Sequence, residues 1–131
     1  MESRIIYESD KTYSNEIHWK KPENNSEIII ANASGTEIGD RIEANYIGTT
    51  RPVFTIKPNT GWVVSAAGIM DTVIASLILY QGIIPPVLLS KNKFHLNFVK
   101  NLTQRQVKNI GIHYVNIGGT TSMLEIGKFS Q

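Results

Sequence analysis

Apolar residues are concentrated in one long run, Val63 to Leu79, interrupted by four polar side chains, those of Ser65, Asp71, Thr72 and Ser76. On a helical wheel the apolar positions occupy nearly every side, and a helix that is apolar all round must be covered on more than one face. Thr60 is predicted to cap the start of this helix, and Gly82 with the following Pro85-Pro86 to end it. The pattern therefore indicates a central helix that the rest of the chain helps to cover.

Shorter apolar runs predict the strands of a sheet against this helix. They lie at residues 4–8, 28–31, 52–57, 87–89, 109–116 and 122–126. The run at 28–31 is apolar without alternation, which is typical of a strand buried on both faces of a parallel sheet. The last two runs are predicted to form an antiparallel pair joined through Gly118-Gly119, a tight connection that needs unusual backbone angles.

Polar segments complete this outline. A polar loop after the 28–31 strand leads to a second predicted helix, in which Asp40 is the cap, Glu43 completes a capping box, and the end lies near Ile47. Residues 9–27 are rich in Asn, Lys, Glu and Ser and are predicted to be a flexible loop. The order of the elements predicts a single α/β layered domain with a mixed sheet, covering residues 1–131.

Composition excludes several classes of function. The net charge is only +2 and the basic residues are scattered, so nothing supports nucleic-acid binding. The chain contains no cysteine, which rules out disulfides, thiolate metal sites and a cysteine nucleophile within these residues. His18, His95 and His113 are far apart and are expected to be ordinary surface or loop residues. Neither a metal nor a cofactor is expected.

Membrane insertion is not expected either. The 63–79 run is shorter than the roughly 20 apolar residues of a span, and an ionised Asp71 near its middle would cost several kcal/mol there. The first residues, Met-Glu-Ser-Arg, are not followed by the apolar core of a signal peptide. We therefore expect a cytoplasmic protein.

Three segments, in order, resemble the motifs of one family. Residues 32–43 match its His-Gly-Thr-Gly-Thr-x-x-Gly-Asp-x-x-Glu loop with Asn-Ala-Ser-Gly-Thr-Glu-Ile-Gly-Asp-Arg-Ile-Glu. Residues 57–62, followed by Ala-Ala-Gly at 66–68, match its Lys-Ser-x-x-Gly-His segment and helix start, and residues 117–121 match its closing Gly-Gly-Thr-Asn turn. Over about residues 28–131 the chain is similar to the C-terminal half of a β-ketoacyl-ACP synthase (ketosynthase) of the thiolase-like superfamily.

Departures from the family motifs bear on the chemistry that the resemblance implies. In ketosynthases two histidines of this half serve decarboxylation and stabilise developing negative charge, but here those positions hold Asn32 and Trp62. Neither side chain can exchange a proton near neutral pH. Lys57 is retained, with Asp71 where relatives often carry its glutamate partner. No intact catalytic set is expected.

The resemblance also supplies the substrate-pocket candidates: Asn32, Thr36, Lys57, Trp62, Ile117, Gly118 and Gly119. Ile117 stands at the family's gating phenylalanine, and Thr121 at the asparagine that ends the turn. Each candidate also has a structural interpretation. Trp62 can fill the core, Asn32 can order its loop, and Lys57 with Asp71 can form a structural ion pair, which the loss of the histidines favours.

For the fold, the resemblance implies a thiolase-like C-terminal half, α/β, with a mixed sheet of about five strands and a buried central helix. Such halves pack in pairs, with one helix from each buried between the sheets, and the N-terminal half carries the acylated cysteine. The expected function is therefore a non-catalytic ketosynthase-like subunit that completes its fold with a partner chain in fatty-acid or polyketide assembly, in a structural or chain-length role. The expected partner is an N-terminal half or a full ketosynthase, with acyl carrier protein as a further partner and a homodimer as the alternative.

Two other interpretations remain open from the sequence. The chain can belong to a composite condensing enzyme whose nucleophilic cysteine comes from the partner, with Asn32 as an oxyanion donor worth roughly 3 kcal/mol. It can also be a degenerate remnant or an excised fragment.

Overall fold

The computed structural model describes residues 2–8, 25–89, 91–115 and 121–128, the first range as backbone only. A five-stranded mixed sheet has the strand order β1-β7-β6-β2-β3, and β4 and β5 form a separate antiparallel pair. Three helices accompany them, the last preceded by a 3₁₀ turn at Val64–Ala66. The elements are, in chain order, β1 (Glu2–Glu8), β2 (Ile28–Ile30), α1 (Glu37–Ile47), β3 (Val53–Phe54), α2 (Lys57–Thr60), α3 (Ala67–Gln81), β4 (Ile83–Ile84), β5 (Thr103–Gln104), β6 (Asn109–Val115) and β7 (Thr121–Gly127).

Strand β2 lies in the middle of the parallel part of the sheet. It pairs in parallel with β3 on one side and with β6 on the other. Its three isoleucines have no exposed surface. The prediction of a strand buried on both faces is therefore confirmed.

Strands β6 and β7 form the predicted antiparallel pair, with Asn109 opposite Gly127 and Val115 opposite Thr121. β1 adds to the far side of β7, also antiparallel. The connection through Gly118-Gly119, and residues 9–24 of the predicted flexible loop, lie outside the described residues.

Helices α1 and α3 cover opposite faces of this sheet, because alternate residues of a strand point to opposite sides. Ile28 and Ile30 of β2 share one apolar cluster with residues of α3, namely Ala75, Ile78 and Leu79. Ile29 lies in a second cluster with Tyr46 and Ile47 of α1. The fold is thus the mixed-sheet α/β layered structure that the sequence predicts.

The capping box predicted for the second helix is wrong. α1 begins at Glu37, and its cap is Thr36, whose Oγ1 accepts a hydrogen bond from Gly39 N at 3.3 Å. Asp40 lies inside the first turn and accepts from Gly35 N, and Glu43 is buried further along. Thr36, and not Asp40, is the cap because the Thr36 backbone is extended, as a cap residue requires.

The predicted start of the central helix is also wrong. Residues Lys57–Thr60 form the separate short helix α2, which Gly61 ends with a positive φ of 71°. α3 then begins at Ala67 without a side-chain cap, whereas its predicted end is confirmed. Gly82 adopts φ 70° and donates its N–H to Ile78 O at 2.8 Å, the left-handed ending that glycine favours.

Two strand predictions need correction near the prolines. The predicted strand at 52–57 is reduced to Val53–Phe54, and the predicted strand at 87–89 does not form. Pro85 and Pro86 have no N–H to pair, and Val87 makes a single hydrogen bond, to Val99 O at 2.7 Å. The chain pairs earlier instead, at β4, with a strand β5 that the sequence did not indicate.

Candidate functional site

The retained candidates follow the carboxyl ends of two neighbouring parallel strands. Asn32 comes after β2 and Lys57 after β3, and the last paired residues of these strands are Ile30 and Phe54. Open parallel sheets bind ligands outside this edge. The register therefore places the Asn32 loop and the Lys57 turn at the same edge of the sheet.

Asn32 is buried and largely committed to its own loop. Its Nδ2 donates to Val115 O at 3.2 Å, and its backbone N–H donates to Glu43 Oε1 at 2.6 Å. Ala33 N donates to the other oxygen of the same carboxylate at 2.7 Å. Asn32 Oδ1 has no hydrogen-bond partner within the described residues. The side chain orders the β2–α1 loop, and the atom it leaves available is an acceptor.

His113 corrects the expectation of a surface or loop histidine. It lies on β6 with no exposed surface, its Nδ1 is 2.9 Å from Glu43 Oε1, and its ring stacks on Tyr46 with centroids 4.4 Å apart. A carboxylate can only accept, so Nδ1 carries a proton, and Nε2 has no partner in the part of the chain described. The position of His113 inside the apolar run of β6 is a signal for its burial, although not for its partner. His95 is exposed, as expected, and His18 lies outside the described residues.

Lys57 and Asp71 form a buried ion pair between the end of β3 and the second turn of α3. Their side chains are 5% and 1% exposed, and Lys57 Nζ contacts Asp71 Oδ2. Burial raises the pKa of Asp71, the hydrogen bond and charge of Lys57 oppose this, and the charge of Glu43 adds to it. Asp71 Oδ1 has no other partner among the described residues. The pair anchors α3 to the sheet.

The remaining candidates are placed differently. Trp62 is half-buried between α2 and α3, and its Nε1 is buried with no hydrogen-bond partner in the described ranges. Thr36 is exposed and uses its hydroxyl to cap α1. Ile117, Gly118 and Gly119 lie outside the described residues. Over the described residues no group of three His, Cys, Asp or Glu side chains could hold a metal ion.

The outward side of α3 carries four large apolar side chains, which we call the outer stripe. Ile69, Val73, Leu77 and Tyr80 are 70%, 55%, 49% and 85% exposed. They are spaced three or four residues apart and so lie along one face of the helix. The opposite face, with Ala67, Asp71, Ala75 and Ile78, packs on the sheet. Many of the apolar residues that predict a central helix therefore lie on a face of α3 that the described residues leave uncovered.

The same stretch satisfies a length-and-composition criterion for a membrane span. Among the described residues, Val64–Gln81 is one helical segment long and apolar enough to cross a membrane. A mostly buried core helix passes the same test, whereas 28% of this segment is buried, and the buried ion pair of Asp71 with Lys57 holds it on the sheet.

Comparison with known proteins identifies a family. The family described as "Beta-ketoacyl synthase, C-terminal domain" matches residues 20–91, more than half of the 131 residues. The highly reducing polyketide synthase cm3B of Cordyceps militaris is 30% identical over 115 residues, which is 74% of this chain and 5% of that protein. A putative mitochondrial 3-oxoacyl-[acyl-carrier-protein] synthase of Schizosaccharomyces pombe is 28% identical over 123 residues, 80% of this chain and 28% of that one.

Solved structures agree on the fold. A ketosynthase from module 1 of the bacillaene synthase of Bacillus amyloliquefaciens matches with a TM-score of 0.77 and 16% identity, over 98% of this chain and 32% of that chain. The ishigamide ketosynthase/chain length factor matches with a TM-score of 0.69 and 20% identity, over 80% of this chain and 28% of that one. This chain thus spans only about a third of a ketosynthase.

Proposed function

This chain belongs to the beta-ketoacyl synthase C-terminal domain family, and we propose that it acts as a non-catalytic half-domain that completes a thiolase-like fold with a partner chain. The proposed partner supplies an N-terminal ketosynthase half, and the proposed setting is fatty-acid or polyketide assembly. The role is structural or sets the length of the acyl chain.

The observation that carries this proposal is the outer stripe of α3. A half-exposed large aliphatic side chain forgoes about 1 kcal/mol of the burial free energy that it could gain. The stripe holds three aliphatic side chains and Tyr80, all at least about half exposed, on one helix face. Val63, Val64, Leu88 and Leu89 are further apolar residues exposed in this chain. An apolar face of this kind marks an interaction surface, and its cover would bury about 2,000 Å² or more in an obligate assembly.

A partner that is ketosynthase-like accounts for the apolar surface. The chain matches about a third of each ketosynthase chain compared above. One of them is the ishigamide ketosynthase/chain length factor, which couples the two names in one assembly. We therefore favour pairing with an N-terminal half over pairing with a second copy of this chain.

Chemistry at the strand ends supports a non-catalytic role. No cysteine is present in the chain to accept an acyl group. Asn32 uses one N–H on Val115 O, and neither Asn32 nor Trp62 can shuttle a proton. Lys57 is occupied by Asp71. The groups that remain hold the loop and the helix in place.

A composite condensing enzyme is the second candidate, and the retained Lys57–Asp71 pair at the family's lysine position is the feature that favours it. Under this alternative the unmodified chain together with its partner would turn over acyl-carrier substrates. Under our proposal it would not, and only the variant carrying both Asn32→His and Trp62→His would gain decarboxylation or condensation. Turnover by the unmodified assembly would remove the non-catalytic assignment.

The assembly is tested by light scattering of the purified chain, alone and mixed with an N-terminal ketosynthase half encoded in a neighbouring reading frame. We expect a poorly soluble chain that becomes a one-to-one complex. Val73→Asp, on the outer stripe, should abolish the complex, whereas Ile38→Asp, at an even more exposed apolar position on α1, should leave it intact. A well-behaved monomer that ignores the partner would refute the proposal, and a homodimer would replace the partner by a second copy.

A further inference from the structure

A cleft of about 450 Å³ lies at the outer edge of the sheet, beside β3. One wall is the segment 97–101, and the other is the antiparallel β4–β5 pair, to which Ile84, Thr103 and the following Arg105 belong. Ligand pockets have volumes of about 300–1,000 Å³, so the cleft can hold a small organic molecule. It is distinct from the strand-end site, because none of Asn32, Lys57 and Trp62 lines it.

The walls of the cleft are held by backbone hydrogen bonds. Val53 N donates to Asn97 O at 2.9 Å, and Val99 N donates back to Val53 O at 3.0 Å, which fixes segment 97–101 along β3. The β4–β5 pair is fixed beside its first residue, where Arg105 N donates to Gly82 O at 2.8 Å. A cavity between such elements is preformed, so a ligand need not order its walls.

Charge on the lining is of one sign. Lys100 and Arg105 are the charged residues that line the cleft, and each comes from a different wall. Lys100 forms no ion pair with a described residue, and the carboxylate nearest Arg105 among them, that of Glu27, lies at a long 4.0 Å. Two cations beside a concave surface attract an anion, and a phosphate or carboxylate is the acceptor that each of them binds most strongly.

The rest of the lining is mixed. Pro52, Ile84, Phe98 and Val99 are its apolar members, and Asn97, Asn101 and Thr103 are its uncharged polar members. A ligand that only carried charge would leave the apolar members unused. An anion attached to a flat or apolar body would use both parts.

We propose that this cleft is a binding site for a small organic anion, with its phosphate or carboxylate group between Lys100 and Arg105 and its apolar part against Phe98 and Val99. The proposal is independent of the assembly proposed above, since it rests on neither α3 nor the strand-end site.

The probes are phenyl phosphate, benzoate, inorganic phosphate and phenol, titrated by NMR or calorimetry into the full chain, with its partner where solubility requires one. Phenyl phosphate or benzoate should bind better than inorganic phosphate, and phenol should not bind. The relative affinity of the first two identifies the anionic group. The double variant Lys100→Gln/Arg105→Gln should bind about tenfold more weakly or worse.

A charge-matched control separates a site from general attraction. Lys91→Gln/Lys108→Gln removes the same charge at two exposed positions away from the cleft lining and should leave the affinity unchanged. All four positions are exposed, so the variants should fold normally, and circular dichroism checks this. Equal losses in both double variants, or equal binding of inorganic phosphate and phenyl phosphate, would mean an adventitious ion only and would overturn the proposal. Absence of binding by both organic anions would do the same.

Discussion

Helices α1 and α3 cover the two faces of one sheet, yet their outward sides are unlike. α1 turns Glu37 and Arg41 to solvent, where they pair at 3.0 Å, and Lys93 contacts the same carboxylate at 3.0 Å. α3 turns the outer stripe to solvent instead. Among the described residues, the outward side of α1 thus carries an ion-pair network, whereas the outward side of α3 carries large apolar side chains.

The inward sides of the two helices are more alike, because each carries a buried carboxylate that ties the helix to strand ends. Glu43 of α1 accepts from the backbone of Asn32 and Ala33 and from His113. Asp71 of α3 pairs with one cation, that of Lys57. The first anchor distributes the charge over several donors, and the second depends on a single partner. Loss of that partner should therefore cost more.

The largest effect is expected from Lys57→Met, which leaves the Asp71 carboxylate buried without a counterion. Removing one member of a buried pair costs about 3–5 kcal/mol, so the free energy of unfolding should fall by that amount in urea titrations near neutral pH. The matched control is Lys57→Met/Asp71→Leu, which removes both charges and should recover most of the loss. A single variant as stable as the parent would mean that the pair does not anchor α3.

Glu43→Gln tests the α1 anchor. The amide retains one acceptor oxygen but presents N–H groups to donors, so hydrogen bonds to a charged group are lost at about 1.5–3 kcal/mol. Urea unfolding measures the loss, and amide exchange of Asn32 and Ala33 should quicken. Exposed Glu37→Gln on the same helix serves as control and should leave the stability nearly unchanged. Equal effects of the two variants would refute the anchor.

Thr36→Ala should cost α1 about 1 kcal/mol, because the Gly39 N–H loses its cap. Thr60→Ala, at the residue that the sequence predicted to cap the central helix, should cost less, since its hydroxyl donates to carbonyl oxygens and caps no N–H. Thermal unfolding of the two variants compares them directly. A larger loss at Thr60 would restore the predicted helix start.

The pH dependence of the unfolding free energy tests Asp71, the buried carboxylate of α3. Burial raises the pKa of Asp71 above its ordinary value of 3.8, so the folded chain binds a proton there at pH values where the unfolded chain does not. The contribution of this group to stability is therefore largest below pH 3.8 and is lost as the pH rises through the raised pKa. Unfolding free energies measured across that window should decline less steeply in Asp71→Asn than in the parent. Identical slopes would contradict the raised pKa.

Much of the fold was predictable because it depends on patterns within a few residues. Examples are the continuous apolar run of β2, the apolar runs of β6 and β7, and the glycine after α3. Each of these signals depends on neighbouring residues only. The helix starts were predicted less well. Thr36, Asp40 and Thr60 are all acceptable cap residues, and only the backbone conformation selects among them.

The candidate site was predictable to a similar degree. Its motifs indicated that Lys57 pairs with Asp71, which lies 14 residues away in the chain. His113 was missed because its partner Glu43 is 70 residues away, and no local pattern reports a contact at that separation. The same holds for Asn32 Nδ2 and Val115 O, 83 residues apart.

By itself the sequence determined that the long helix is apolar all round, that its family is that of the ketosynthase C-terminal domain, and that no cysteine nucleophile lies in these residues. Only the tertiary structure decided which side of α3 packs on the sheet and which side stays uncovered, and which of the buried polar groups anchor the helices. The physical reason is that composition and periodicity record the chemistry of neighbouring residues, whereas burial is decided by the surface that distant parts of the chain bring to each face.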